Sequence, residues 1–138
     1  MIQDHQHLAE HDVSWLAIRQ PAVLRLLERE LGSARASGLA FRDGDAFGAG
    51  LALACQILGA RAQVGPHRLD HHALAAGLAS VRAGRCDRAM VRSIRNQIEE
   101  LPVVLTPIEE DAVATVIAAV IWAVLDTSAR ALDDTLVA

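Results

Sequence analysis

The chain contains no lysine and no tyrosine, and it has few aromatic residues of any kind. Its thirteen basic residues are all arginine, and its only aromatic side chains are two tryptophans and two phenylalanines in 138 residues. Apolar residues nevertheless make up 52% of the sequence, so the core must consist of Leu, Val, Ile and Ala. This composition favours helices packed through small residues and disfavours a β-sheet domain, which uses more aromatic residues and threonine.

The absence of lysine leaves two interpretations open. A GC-rich bacterial genome supplies arginine, alanine and glycine codons in excess and produces this bias without any function. Selection against lysine modification, as in a protein that enters a host cell, has the same effect.

The chain has neither a positive net charge nor a cysteine framework. Its formal charge of −4 argues against general nucleic-acid binding. Cys55 and Cys86 form no disulfide framework and no metal or redox spacing. The first residues, MIQDHQHLAEHD, lack the basic and apolar regions of a secretory signal, which predicts a cytoplasmic protein.

Catalytic signatures are also missing. The sequence contains no nucleophile elbow, no phosphate-binding glycine loop and no dinucleotide-binding fingerprint, and the glycine-rich segment Gly44–Gly50 fits neither phosphate spacing. We therefore expect a non-enzymatic protein without a cofactor.

The most apolar segment lies near the C-terminus. Thr106 and Pro107 are typical of a helix start, and acidic residues follow them, where they favour the positive end of the helix dipole. From Ala112 to Leu125 the only polar side chain is Thr115. A helix that is apolar on every face must be covered by protein or by lipid.

The length of this segment favours a buried core helix over a membrane span. Fourteen helical residues extend about 21 Å, against about 30 Å of hydrocarbon. The sequence thus predicts one all-α domain over residues 1–138, a compact bundle of about six helices around the buried helix Glu109–Leu125. Membrane association through that helix is an alternative. The other helices are predicted over Asp4–Arg19, from Pro21 to Leu31, from the Asp43–Asp45 turn to Leu58, from His67 or Asp70 to Ala83, and from Asp87 to Leu101.

Two segments repeat a small-residue pattern. Arg42–Gln56 and Arg82–Asn96 each contain a glycine followed five residues later by an alanine. Together with Gly77 and the later Pro102, this skeleton resembles the helix hairpins of tetratricopeptide repeats, over at most residues 37–102. The resemblance implies a concave groove that binds a peptide or a helix of another protein.

Positive charge is concentrated at one place in the sequence. Arg88, Arg92 and Arg95 lie opposite the apolar line of the fifth predicted helix, where they form a solvent-facing stripe. Because arginine suits bidentate contact with carboxylates, we expect a docking face for an acidic protein partner. The alternatives are nucleic acid, or a solvated face paired with Glu99 and Glu100. The candidate docking residues are Arg82, Arg85, Arg88, Arg92 and Arg95.

Cys86 lies beside Arg85 and Arg88 at a predicted helix N-terminus. Both features favour a thiolate, so the sequence predicts a lowered pKa for this thiol.

Histidines provide a second candidate site. His7 and His11 are four residues apart, as are His67 and His71, so each pair shares a face of a helix and suits one metal ion. The metal hypothesis assigns His67, Asp70 and His71 as ligands of a divalent transition metal. The alternative is that these residues cap a helix start.

Taken together, these patterns predict a small cytoplasmic helical module that binds another protein, as an adaptor, a chaperone-like subunit or an immunity-type protein. The third predicted helix, which ends at Leu58, and the helix Glu109–Leu125 are both almost wholly apolar. Two such helices in a short chain also predict self-association. A metal-binding helical bundle is the principal alternative.

Overall fold

The computed structural model describes residues 2–32, 45–59 and 68–137. These residues form six α-helices and contain no strand, so the predicted all-α bundle is confirmed. The helices are α1 (Ile2–Arg19), α2 (Pro21–Leu31), α3 (Asp45–Leu58), α4 (His71–Arg82), α5 (Arg88–Glu100) and α6 (Pro107–Val137).

Helix α6 is the centre of the bundle. It contacts α2, α3, α4 and α5, and its contact with α4 is the most extensive between any two helices. Val113 and all residues from Val116 to Val120 are buried. The helix extends to Val137, well beyond the predicted core segment that ended at Leu125.

The apolar residues of α6 are covered by neighbouring helices. Leu27 of α2, Leu53 of α3 and Leu74 of α4 belong to the same buried cluster as Val113 and Ile117. None of the helices in the described part of the chain is long and apolar enough to cross a membrane.

Helix starts follow the local sequence closely. Thr106 and Glu109 form a reciprocal capping box at the start of α6, with the Thr106 N–H donating to Glu109 Oε1 at 2.9 Å and the Glu109 N–H donating to Thr106 Oγ1 at 3.2 Å. Asp70 caps α4 by accepting from the Ala73 N–H at 2.7 Å, and Asp87 caps α5 by accepting from the Ala89 N–H at 2.9 Å. Three short polar side chains thus set where three helices begin.

Helices α2 and α4 lie side by side and run in the same direction. At their N-terminal ends the Leu69 N–H donates to Gln20 Oε1 at 2.9 Å, and Gln20 is only 1% exposed. At their C-terminal ends Arg82 Nη2 lies 3.1 Å from Glu30 Oε2. The two contacts fix the relative position of the helices at both ends.

Gly77 allows α4 to approach α6 closely. A Cβ atom at this position would lie 2.7 Å from the Ala119 carbonyl oxygen and 3.2 Å from Cε3 of Trp122. The first of these neighbours is backbone and cannot move without shifting α6. The small-residue pattern around Gly77 therefore serves the contact between α4 and α6.

We expect Gly77→Ala to destabilise the protein by about 1–3 kcal/mol, because the added methyl group is forced against the α6 backbone. The loss should occur although alanine is favoured over glycine within a helix by about 1 kcal/mol. Urea denaturation followed by circular dichroism measures the change.

Gly48→Ala is the matched control. A Cβ at this helical glycine meets nothing within 4 Å, so the same exchange should leave stability unchanged or raise it by up to about 1 kcal/mol. If both variants were equally stabilised, the close approach of α4 to α6 would be refuted.

Candidate functional site

The five arginines of the predicted docking face divide into two groups. Arg82 and Arg95 form ion pairs with carboxylates of other helices. Arg85, Arg88 and Arg92 are exposed, and no carboxylate in the described part of the chain lies within ion-pair distance of them. We call these three residues the exposed arginine surface.

Arg95 joins α5 to the first turn of α6. Its Nη1 lies 3.5 Å from Glu110 Oε1, and its Nη2 donates to Asp111 Oδ1. The hydrogen bond to Asp111 raises the pKa of Arg95. Its side chain is 42% exposed, so Arg95 faces solvent in part and is also paired within the chain.

The partners of Arg95 also differ from those that the sequence indicated. Glu99 and Glu100, the nearest carboxylates in the sequence, are exposed. Glu110 and Asp111 are closer in space because the bend between α5 and α6 brings the start of α6 against α5. These two carboxylates interact favourably both with the positive end of the α6 dipole and with the guanidinium group of Arg95.

Arg82 joins α4 to α2 through Glu30. Glu30 accepts from Arg82 and also lies 3.3 Å from Nε of its neighbour Arg29. Glu30, Arg82 and Asp111 line one small pocket of about 190 Å³. The ion pairs of Arg82 and Arg95 thus meet at one corner of the bundle, where they position helices.

The exposed arginine surface follows the turn between α4 and α5. Gly84 takes a φ of +74°, a conformation that L side chains rarely adopt, and Arg85 directly follows it. Arg88 is the first residue of α5, and Arg92 lies one turn later on the same face. The turn therefore presents three guanidinium groups to solvent.

We expect Arg95→Gln to lower the free energy of unfolding by up to about 1 kcal/mol, since solvent screens a half-exposed ion pair. The loss should shrink as salt is added. Thermal unfolding at low and high salt measures both effects.

Arg92→Gln is the control on the same helix, and it should leave stability within about 0.5 kcal/mol of the wild type. Equal losses for the two variants would contradict the division of the arginines into two groups.

The metal hypothesis stays a prediction. His67 lies outside the described residues. Asp70 is the N-cap of α4 and is exposed, and its hydrogen bond from the Ala73 N–H lowers its pKa. His71 is exposed, with its ring centroid 4.1 Å from that of His72. Within the described ranges, no three His, Cys, Asp or Glu side chains converge as a metal site would require.

Because the pKa of Asp70 is lowered, the stability that the α4 cap contributes depends on pH. Because the carboxylate is favoured in the folded protein, the cap contributes stability above the ordinary pKa of about 3.8 and loses it as the pH falls below that value.

An open cleft between α2 and α4 is the feature that sequence analysis missed. Its volume is about 570 Å³. Three arginines from two segments, α2 and the residues before α4, surround it, while leucines and alanines form most of the remaining lining. The lining residues are Pro21, Ala22, Arg25, Leu26, Arg29, Arg68, Leu69, Asp70, His71, Leu74 and Ala75.

The cleft was missed because its charges are scattered along the sequence. Arg25 and Arg29 lie four residues apart on the exposed side of α2. Arg68 lies about forty residues later, and it is placed by a hydrogen bond from its Nη2 to the Ile18 carbonyl at 3.1 Å. Only the parallel arrangement of α2 and α4 brings the three arginines together.

The environment of Cys86 differs from the prediction. Partial burial of the thiol raises its pKa through desolvation of the thiolate. Cys86 is therefore a weaker nucleophile than the adjacent arginines led us to predict.

Comparison of the chain with protein-family models, with curated proteins and with solved structures gives no match. The resemblance to tetratricopeptide hairpins therefore stays a prediction. In the structure, α4 and α5 each pack on α6.

Proposed function

We propose that the chain is a small, non-enzymatic cytoplasmic module that binds another, acidic protein through the exposed arginine surface. The proposal narrows the sequence prediction from five arginines to Arg85, Arg88 and Arg92. The proposal covers the adaptor, chaperone-like and immunity-type roles alike. Self-association stays a separate prediction.

The observation that carries the proposal is the separation of the ion-paired arginines from those without a carboxylate partner in the described part of the chain. The chain has more acidic than basic residues, 17 against 13, and Arg82 and Arg95 each have carboxylate partners. Arg88 and Arg92 have none in the described part of the chain. Two like charges one helical turn apart cost about 0.2–0.5 kcal/mol, a cost that binding an acidic surface would offset.

The chemistry of the surface favours a protein over nucleic acid. Arginine forms bidentate hydrogen bonds with carboxylates, and several such pairs give an interface both orientation and specificity. Binding of single-stranded nucleic acid relies on aromatic side chains that stack on bases. The segment 82–100, which carries the surface, contains no aromatic residue.

The test compares the untagged wild type with the triple variant Arg85→Glu, Arg88→Glu and Arg92→Glu, each purified from the native host and analysed by native mass spectrometry. We expect the wild type to carry a second polypeptide with an acidic composition. The triple variant should lose it because three attractive contacts become repulsive.

The matched control replaces the same three residues with lysine, which keeps the charge but not the bidentate geometry. This variant should retain the partner, with weaker binding. If no second polypeptide accompanies the wild type, or if the glutamate variant retains the same one, the proposal is refuted. Circular dichroism confirms that all three proteins are folded alike.

A further inference from the structure

We propose that the cleft between α2 and α4 is a second recognition site, which binds a polypeptide segment carrying both carboxylate and apolar side chains. The site is separate from the exposed arginine surface, and it shares no residue with it. The juxtaposition that supports it is three arginines, Arg25, Arg29 and Arg68, around one open cleft with an apolar floor.

The cleft has a fixed frame. The buried hydrogen bond between Gln20 and Leu69 holds α2 and the start of α4 together at one end. The ion pair between Glu30 and Arg82 holds the same two helices at the other end. Because both ends are fixed, the cleft does not have to be ordered when a ligand binds, which removes one cost of association.

The arginines of the cleft retain hydrogen-bond donors for a ligand. Arg25 is exposed and has no carboxylate within ion-pair distance in the described part of the chain. Arg68 uses one Nη2 contact, to the Ile18 carbonyl, and this contact orients its guanidinium group. Arg29 contacts Glu30 through Nε. Since each guanidinium carries five N–H donors, most of these donors have no partner among the described residues.

The cleft has an excess of positive charge. Among the lining residues that the structure describes, Asp70 is the only carboxylate, and it already accepts a hydrogen bond from the Ala73 N–H. Arg29 already contacts Glu30, which leaves Arg25 and Arg68 without a carboxylate within ion-pair distance in the described part of the chain. A carboxylate-bearing segment would supply the complementary charge that the cleft lacks.

The apolar part of the lining favours a polypeptide over a simple anion. Leu26, Leu69 and Leu74 lie beneath the cleft and are at most 3% exposed. The apolar floor open to a ligand is therefore provided by Pro21, Ala22 and Ala75. A phosphate group would use only the arginines. An acidic peptide with an apolar side chain would use the charged rim and the floor together, as peptide-binding sites commonly do.

The test is fluorescence anisotropy with a dye-labelled peptide of sequence Glu-Leu-Glu-Glu-Leu-Glu, titrated with the full chain at low ionic strength. We expect saturable binding with a Kd below about 1 mM. Arg25→Gln should weaken it about tenfold, because a charge-assisted hydrogen bond is lost. Arg25 is exposed, and circular dichroism checks that the variant is folded.

Two controls separate the cleft from general charge attraction. Arg19→Gln removes an equal charge from the exposed C-terminal end of α1, outside both the cleft lining and the exposed arginine surface, and should leave the affinity unchanged. The peptide Gln-Leu-Gln-Gln-Leu-Gln keeps the apolar side chains and should not bind. Absence of saturable binding, or equal weakening by Arg25→Gln and Arg19→Gln, would overturn the proposal.

Inorganic phosphate and vesicles containing an anionic phospholipid serve as competing probes. We expect neither to displace the peptide at concentrations comparable to its Kd. If either binds more tightly than the peptide and loses affinity in Arg25→Gln, the assignment of a polypeptide is overturned. The triple glutamate variant of the exposed arginine surface should still bind the peptide, so that this inference and the proposed function can fail independently.

Discussion

Burial of the apolar side chains of α6 is the constraint on which the other helices depend. A helix that exposes Val, Ile and Ala on every side is stable in water only when protein surrounds it. Four of the other helices contact it, and α1 packs on α2 and α3 at the edge of the bundle. Small residues decide how closely each neighbour approaches, as Gly77 does against Ala119.

Ion pairs at the ends of the helices complete this arrangement, and other arginines stay exposed. Arg82 and Arg95 join α2, α4, α5 and α6 through Glu30, Glu110 and Asp111. The same geometry sets the remaining arginines apart, with one group at the turn between α4 and α5 and another around the cleft between α2 and α4. Two positive surfaces on a chain of net negative charge suit a protein that binds acidic partners.

Local signals made the helices predictable, whereas the pairing of charges was not predictable. Three helix starts depend only on neighbouring residues, and the structure places a helix at each of these starts. They are marked by Thr106 with Pro107, by Asp87 and by Pro21. The partners of Arg95 and the approach of Arg68 to Arg25 depend on which helices lie side by side. Sequence periodicity identifies the buried face of a helix but not the helix that covers it.

Native-state hydrogen exchange along α6 tests the central claim most directly. If α6 is the element on which the bundle depends, amides from Val113 to Ala123 should exchange only through global unfolding, with the same free energy that denaturant titration gives. Exchange of these amides through local openings of much lower free energy, while other helices stay protected, would contradict the account.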